Sequence, residues 1–179
     1  MKKVLKISLA VLMVFILVGC GKKTYKKELV YTGKLSDSAY SNDVDLKLYR
    51  ENDLLTYEYE SENIKAIIGL KYNKKELNLV DDKLKCERYI ISINMYDYNY
   101  TMFDRYKQLP GYEQLKIGEY DAVKTLTDKQ VIIIVKLDSY AQLEIIGDTD
   151  GYIVVNELDN DKDFNDIINS VTIETTKKY

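Results

Sequence analysis

Apolar and polar residues alternate with a period of two over much of this chain, the pattern of half-buried strands. Val44, Leu46 and Leu48 alternate with Asp45, Lys47 and Tyr49, and Leu55, Tyr57 and Tyr59 alternate with Thr56, Glu58 and Glu60. With Glu51-Asn52 between them they predict a hairpin. Strand formers also fill Glu28 to Leu35, and Ser36 to Asp43 reads as a polar loop. Ile64 to Tyr72, the turn-like Asn73-Lys74, and Leu77 with Leu79 predict a second hairpin, closed by Asp81-Asp82-Lys83. Tyr89 to Ile93 predicts an interior strand. Further strands are expected over Tyr120–Leu126, Val131–Leu137, Tyr140–Ile146 and Tyr152–Glu157, with Asp-rich turns between them. The Asp148–Gly151 turn reads as part of a hairpin.

Two stretches break this rhythm. Met102, Phe103, Tyr106 and Leu109 share one helical face, with Asn99 as the expected N-cap and Pro110-Gly111 as the stop. Phe164, Ile167 and Ile168 share another, with Asp161 or Asp163 near its N-cap, and Val171, Ile173 and Thr175 follow as a last strand. Val131 to Val135 is the most apolar run beyond residue 20, so it should be a central strand covered on both faces. Sheet alone does not cover both faces, so helices must pack on it. The expected class is α+β: a mainly antiparallel twisted sheet with two or more helices packed on it.

The first twenty residues follow a different logic. Lys2, Lys3 and Lys6 precede Ile7 to Val18, an apolar run interrupted only by Ser8. As a helix this run measures about 18 Å, short of the roughly 30 Å hydrocarbon core, and has the proportions of a signal-peptide core. It ends in Leu17-Val18-Gly19-Cys20. That quartet resembles the lipobox of bacterial lipoproteins. The resemblance implies cleavage between Gly19 and Cys20 and diacylglycerol on the Cys20 thiol. It places the protein at the cell membrane, lipid-anchored and facing outside the cytoplasm. The organisation expected is a signal peptide over 1–19, a lipidated basic tether over 20–27, and a single α+β domain over 28–179. Lys22, Lys23, Lys26 and Lys27 in the tether are suited to anionic head groups.

Composition narrows the function by exclusion. The net charge is −3 and becomes more negative once the signal is removed, a poor match to nucleic acid. The chain has no histidine, which removes Ser-His-Asp and Cys-His machinery and the commonest zinc or copper ligand. Of two cysteines, Cys20 is assigned to lipid, leaving Cys86 without a disulfide partner and without an activating base; it is expected to be buried and inert. No cofactor is expected. Seventeen tyrosines fit many half-buried sheet positions.

Two constellations stand out. Asp159, Asp161 and Asp163 have the 1-3-5 oxygen spacing of a calcium loop, but Phe164 and Ser170 stand where an EF-hand needs Gly and Glu. A solvated loop and helix N-terminus is the expected reading. Tyr96, Tyr98 and Tyr100 alternate with Asp97 and Asn99. In a continued strand they form an aromatic binding platform; at a strand-to-helix junction they pack locally, which is the favoured reading. Ile117-Gly118-Glu119-Tyr120-Asp121-Ala122 and Phe164-Asn165-Asp166-Ile167-Ile168-Asn169-Ser170 resemble the strand entry and closing helix of the PsbP-like fold. The resemblance spans roughly the C-terminal half and implies an α/β/α sandwich that binds or helps assemble other proteins, with no shared active site. The functional expectation is a membrane-anchored surface lipoprotein with a non-enzymatic binding or assembly role toward a protein or envelope partner. The alternative is a lipid-anchored hydrolase using carboxylates.

Overall fold

The computed structural model describes residues 27–35, 44–97, 102–151 and 153–178. The lipobox with Gly19 and Cys20, the expected loop over 36–43, and Tyr98, Asn99 and Tyr100 lie outside them. Within the described residues the strands form two antiparallel sheets. The first contains β1 (Glu28–Leu35), β2 (Val44–Glu51), β3 (Leu54–Glu60), β4 (Ile64–Lys71) and β12 (Thr172–Lys177), side by side in that order. The second runs β5 (Leu79–Val80), β6 (Lys83–Lys85), β7 (Ile90–Asp97), β11 (Ala141–Asp148), β10 (Gln130–Lys136), β9 (Tyr120–Leu126) and β8 (Glu113–Ile117). Among the described residues three short helices complete it: α1 (Phe103–Tyr106), α2 (Val155–Asp159) and α3 (Lys162–Asn169).

The alternation explains the packing. Leu48, Tyr57 and Ile68 on the first sheet and Ile91, Ile133 and Leu143 on the second belong to one apolar cluster, so the sheets share a core. Polar links cross it. The Tyr59 hydroxyl donates to the Ile93 carbonyl, Ser61 Oγ donates to Asp97 Oδ2 at 3.0 Å, and Lys177 on β12 pairs with Asp138 at 3.3 Å. The Tyr57 hydroxyl is also buried there, with no hydrogen-bond partner among the described residues. An unsatisfied buried hydroxyl costs about 1–3 kcal/mol. Tyr57→Phe is therefore expected to raise stability, by roughly 1 kcal/mol in urea denaturation; a loss of that size would mean that the hydroxyl is satisfied.

β10 is covered on both faces, as its sequence predicts, but on one face the cover includes the first sheet, where helices alone are expected. Val131, Ile133 and Val135 point into the shared core, while Ile134 joins Val123 and Phe103 in a second cluster under α1. On the core side α3 packs through Phe164, Ile167 and Ile168, and its N-terminus is capped by Asp161, whose side chain accepts from the Phe164 N–H at 2.9 Å. A methyl group at Gly147 on β11 would stand 2.7 Å from the Phe164 ring and 3.1 Å from Leu158, so glycine there permits the helices to approach.

Four expectations need correction. β5 does not pair with β4 but with β6, so the chain leaves the first sheet after Lys71 and enters the second. Where a strand is expected over 152–157, α2 begins at Val155, because Val155 and Leu158, three apart, bury one helical face. The turn after β11 consequently leads into a helix and closes no hairpin. Met102, not Asn99, holds the cap position of α1, its N–H donating to Gln142 Oε1 at 2.9 Å, and the helix ends at Tyr106, short of the Pro110-Gly111 stop.

Candidate functional site

The crossing from the first sheet to the second makes a cleft. After β4, the Tyr72 N–H donates to the Asp53 carbonyl at 2.6 Å, and the chain then runs irregularly to β5. Arg50 on β2 holds this segment: Nη1 donates to the Lys75 carbonyl at 3.0 Å, Nη2 to the Lys74 carbonyl, and Nε to the Asn52 carbonyl at 3.1 Å. The turn between β6 and β7 forms the neighbouring wall, where the Cys86 N–H donates to the Tyr89 carbonyl at 2.8 Å. The far wall is α3 with its flanks. Ser170 at its end accepts from the Lys71 N–H at 2.8 Å and donates to the Ile167 carbonyl at 2.7 Å, joining helix to sheet.

Two adjoining cavities, about 620 and 560 Å³, occupy this space and share Tyr72, Lys74, Cys86, Tyr89 and Asp163. Their size is that of small-ligand sites, about 300–1,000 Å³. The floor is aromatic and apolar: Tyr72, Cys86 and Tyr89, with Tyr89 edge-on to Phe164 at 5.4 Å. The rim carries both signs. Lys74 pairs with Asp163 at 3.2 Å, Arg88 lies 3.9 Å from Asp161, and Lys162 lies 3.4 Å from Asp166. The hydrogen bond to Asp163, and then its charge, raise the Lys74 pKa.

Cys86 is half-buried, and burial pushes its thiol up to about 11, against the weaker opposing effect of its hydrogen bond with Tyr89. A thiol so placed is protonated at neutral pH and is no nucleophile there. In the Cys20→Ser variant, where Cys86 is the sole cysteine, alkylation by iodoacetamide should be slow near pH 7 and keep accelerating beyond pH 9. A plateau reached below pH 9 would contradict this.

Of the residues singled out from sequence, Asp161 and Asp163 come together in the lining of the cleft, while Asp159 turns away from it. Asp159 pairs with Lys124 at 2.8 Å, Asp161 caps α3, and Asp163 faces Lys74. Among the described residues no group of three His, Cys, Asp or Glu side chains is arranged to hold a metal ion. Tyr96 lies within β7, in register with Gln142, and is hydrogen-bonded to Glu144; Tyr98 and Tyr100 lie outside the described residues. Sequence reasoning missed Tyr72, Lys74, Arg88 and Tyr89 as cleft residues. The only available signal was the irregular, polar stretch after Tyr72, and it reads equally well as a turn.

Among the described residues two carboxylates have raised pKa values. Burial raises Asp82, in the β5–β6 turn, and burial raises Glu144 on β11, opposed there by the Tyr96 hydrogen bond. They stand on different elements, and neither borders the cleft. No family model, curated protein or solved structure matches this chain.

Proposed function

We propose that this protein is a membrane-anchored surface lipoprotein whose α+β domain binds, and does not transform, a component of the cell envelope, and that the cleft beside Cys86 is its binding site. The cleft carries the reading: it has the size of a small-ligand site, an aromatic floor and a charged rim. Its one thiol is held protonated by burial. The carboxylates with raised pKa values, the usual sign of acid catalysis, lie elsewhere, which weighs against the hydrolase alternative.

The anchor half of the proposal rests on Leu17-Val18-Gly19-Cys20. Cys20→Ser should abolish incorporation of labelled fatty acid into the protein, and globomycin should cause unprocessed precursor to accumulate. Fatty-acid labelling that survives in the Cys20→Ser chain would overturn the lipid anchor. A PsbP-like arrangement of the C-terminal half belongs to the same proposal. Its support is that the second sheet carries α1 on one face and α2 with α3 on the other.

A further inference from the structure

The entry of the chain into the first sheet and the cleft are at the same end of that sheet. In the first sheet, Glu28 at the start of β1 pairs with Arg50, Glu51 with Leu54, and Leu54 with Lys71, so one end of the sheet carries the entry of the chain, the β2–β3 turn and the end of β4. The cleft begins there, with Asp53, Lys71 and Tyr72 in its lining. Arg50 connects the two directly, since it is the register partner of Glu28 and also holds the Lys74 and Lys75 carbonyls of the cleft wall. Lys27 is already part of the domain, paired with Glu58 at 2.9 Å and lying 4.0 Å from the Tyr49 ring centre. Seven residue steps separate it from Cys20. Fully extended they reach about 25 Å at most. A domain anchored at Cys20 thus keeps its cleft within reach of the head groups.

The walls of the cleft differ in sign. The α3 wall presents Asp161, Asp163 and Asp166, offset only by Lys162. Lys74 on the crossing segment, Lys85 at the end of β6 and Arg88 in the β6–β7 turn line the other side, while Glu76 and Glu87 keep its net charge small. A purely anionic group would meet the carboxylates of α3, and a purely cationic one the lysines. A group with both charges a few ångströms apart satisfies both walls. Lys74 and Asp163 are both solvent-exposed, and Arg88 is exposed and 3.9 Å from a half-buried Asp161; such loose surface pairs are weak, so a ligand separates them at little cost.

We infer, on the basis of the anchor reading above, that the cleft binds the amine-phosphate head group of a membrane phospholipid, with the phosphate toward Lys74 and Arg88 and the amine toward Asp161 and Asp163. The tether makes this an intramolecular encounter, with effective concentrations in the millimolar range. Weak intrinsic affinity suffices.

The experiment uses the full lipidated chain, verified by mass, in vesicles of phosphatidylglycerol alone or mixed with an equal part of phosphatidylethanolamine. Cys86 is the reporter, because it lines the cleft and is the one thiol left after lipidation. Its alkylation at pH 9 should slow about fivefold or more in the mixed vesicles, as the local head-group concentration exceeds the dissociation constant. The double variant Arg88→Glu/Asp163→Lys, altered only at exposed positions, should lose this protection, and so should a chain with about 30 flexible residues inserted after Gly21, which dilutes the encounter. Equal rates in the two vesicle types, with the protein bound to both, overturn the inference and leave the anchor standing. Protection that survives in the charge variant overturns it as well. A chain that fails to carry lipid or to float with vesicles defeats the anchor reading instead.

Discussion

Phe164→Ala is expected to lower the free energy of unfolding by about 3–5 kcal/mol, the range for truncating a fully buried aromatic side chain. Phe164 is 1% exposed and belongs to the shared core. Its ring meets Tyr89 edge-on and lies directly over Gly147, so it joins α3 to both the cleft floor and the central strand β11. Little can move in to fill the space, because the β11 backbone is fixed between β7 and β10. The loss should appear as a lower urea midpoint with an unchanged slope. The cleft should loosen with it, so Cys86 alkylation in the Cys20→Ser background should accelerate even under native conditions. A cost below about 1 kcal/mol would mean that α3 is held by something other than this ring.

Asp138 is expected to give the second large effect, and one that depends on pH. It sits at the β10–β11 turn, where its carboxylate accepts from the Tyr140 N–H at 2.7 Å and the Ala141 N–H at 2.8 Å, and it pairs with Lys177 of the first sheet. Burial alone would raise its pKa; the two backbone donors and Lys177 outweigh that and hold it below the usual carboxylate range. A depressed folded-state pKa contributes stability that is present above the unfolded value, near 4, and is lost as pH falls through the folded value. Asp138→Ala should therefore cost about 2–3 kcal/mol at pH 7, where charge-assisted hydrogen bonds are lost. The gap between wild type and variant should narrow steadily below pH 4. A gap that is constant from pH 7 to pH 2.5 would show that the carboxylate's charge has no part in joining the sheets.

Much of this fold is readable from local pattern. β2 and β3 announce themselves because Leu46, Leu48, Leu55, Tyr57 and Tyr59 are buried at every second position. α3 is legible because an Asp cap and the spacing of Phe164, Ile167 and Ile168 agree. β8 went unread, since its five residues, Glu113 to Ile117, contain only two apolar side chains. Val154 and Val155 favour strand locally, and the burial of Val155 and Leu158 against the core overrides that preference. The cleft was illegible for another reason. Its walls come from segments around Tyr72, Cys86 and Asp163, brought together only because β5 joins the second sheet instead of the first. No short-range pattern encodes which sheet a two-residue strand will join.

The placement of β12 has a consequence in time. β4 gains its outer neighbour only when Thr172 to Lys177 pair with Ile64 to Gly69, a loop of roughly a hundred residues closed by β12. Such long-range pairings are slow, because the entropy of closing the loop is lost before the contacts form. The first sheet cannot close, and Lys177 cannot reach Asp138, until Thr172 to Lys177 are free to pair. Completion of the domain therefore waits on β12, however early the hairpins of its N-terminal half assemble.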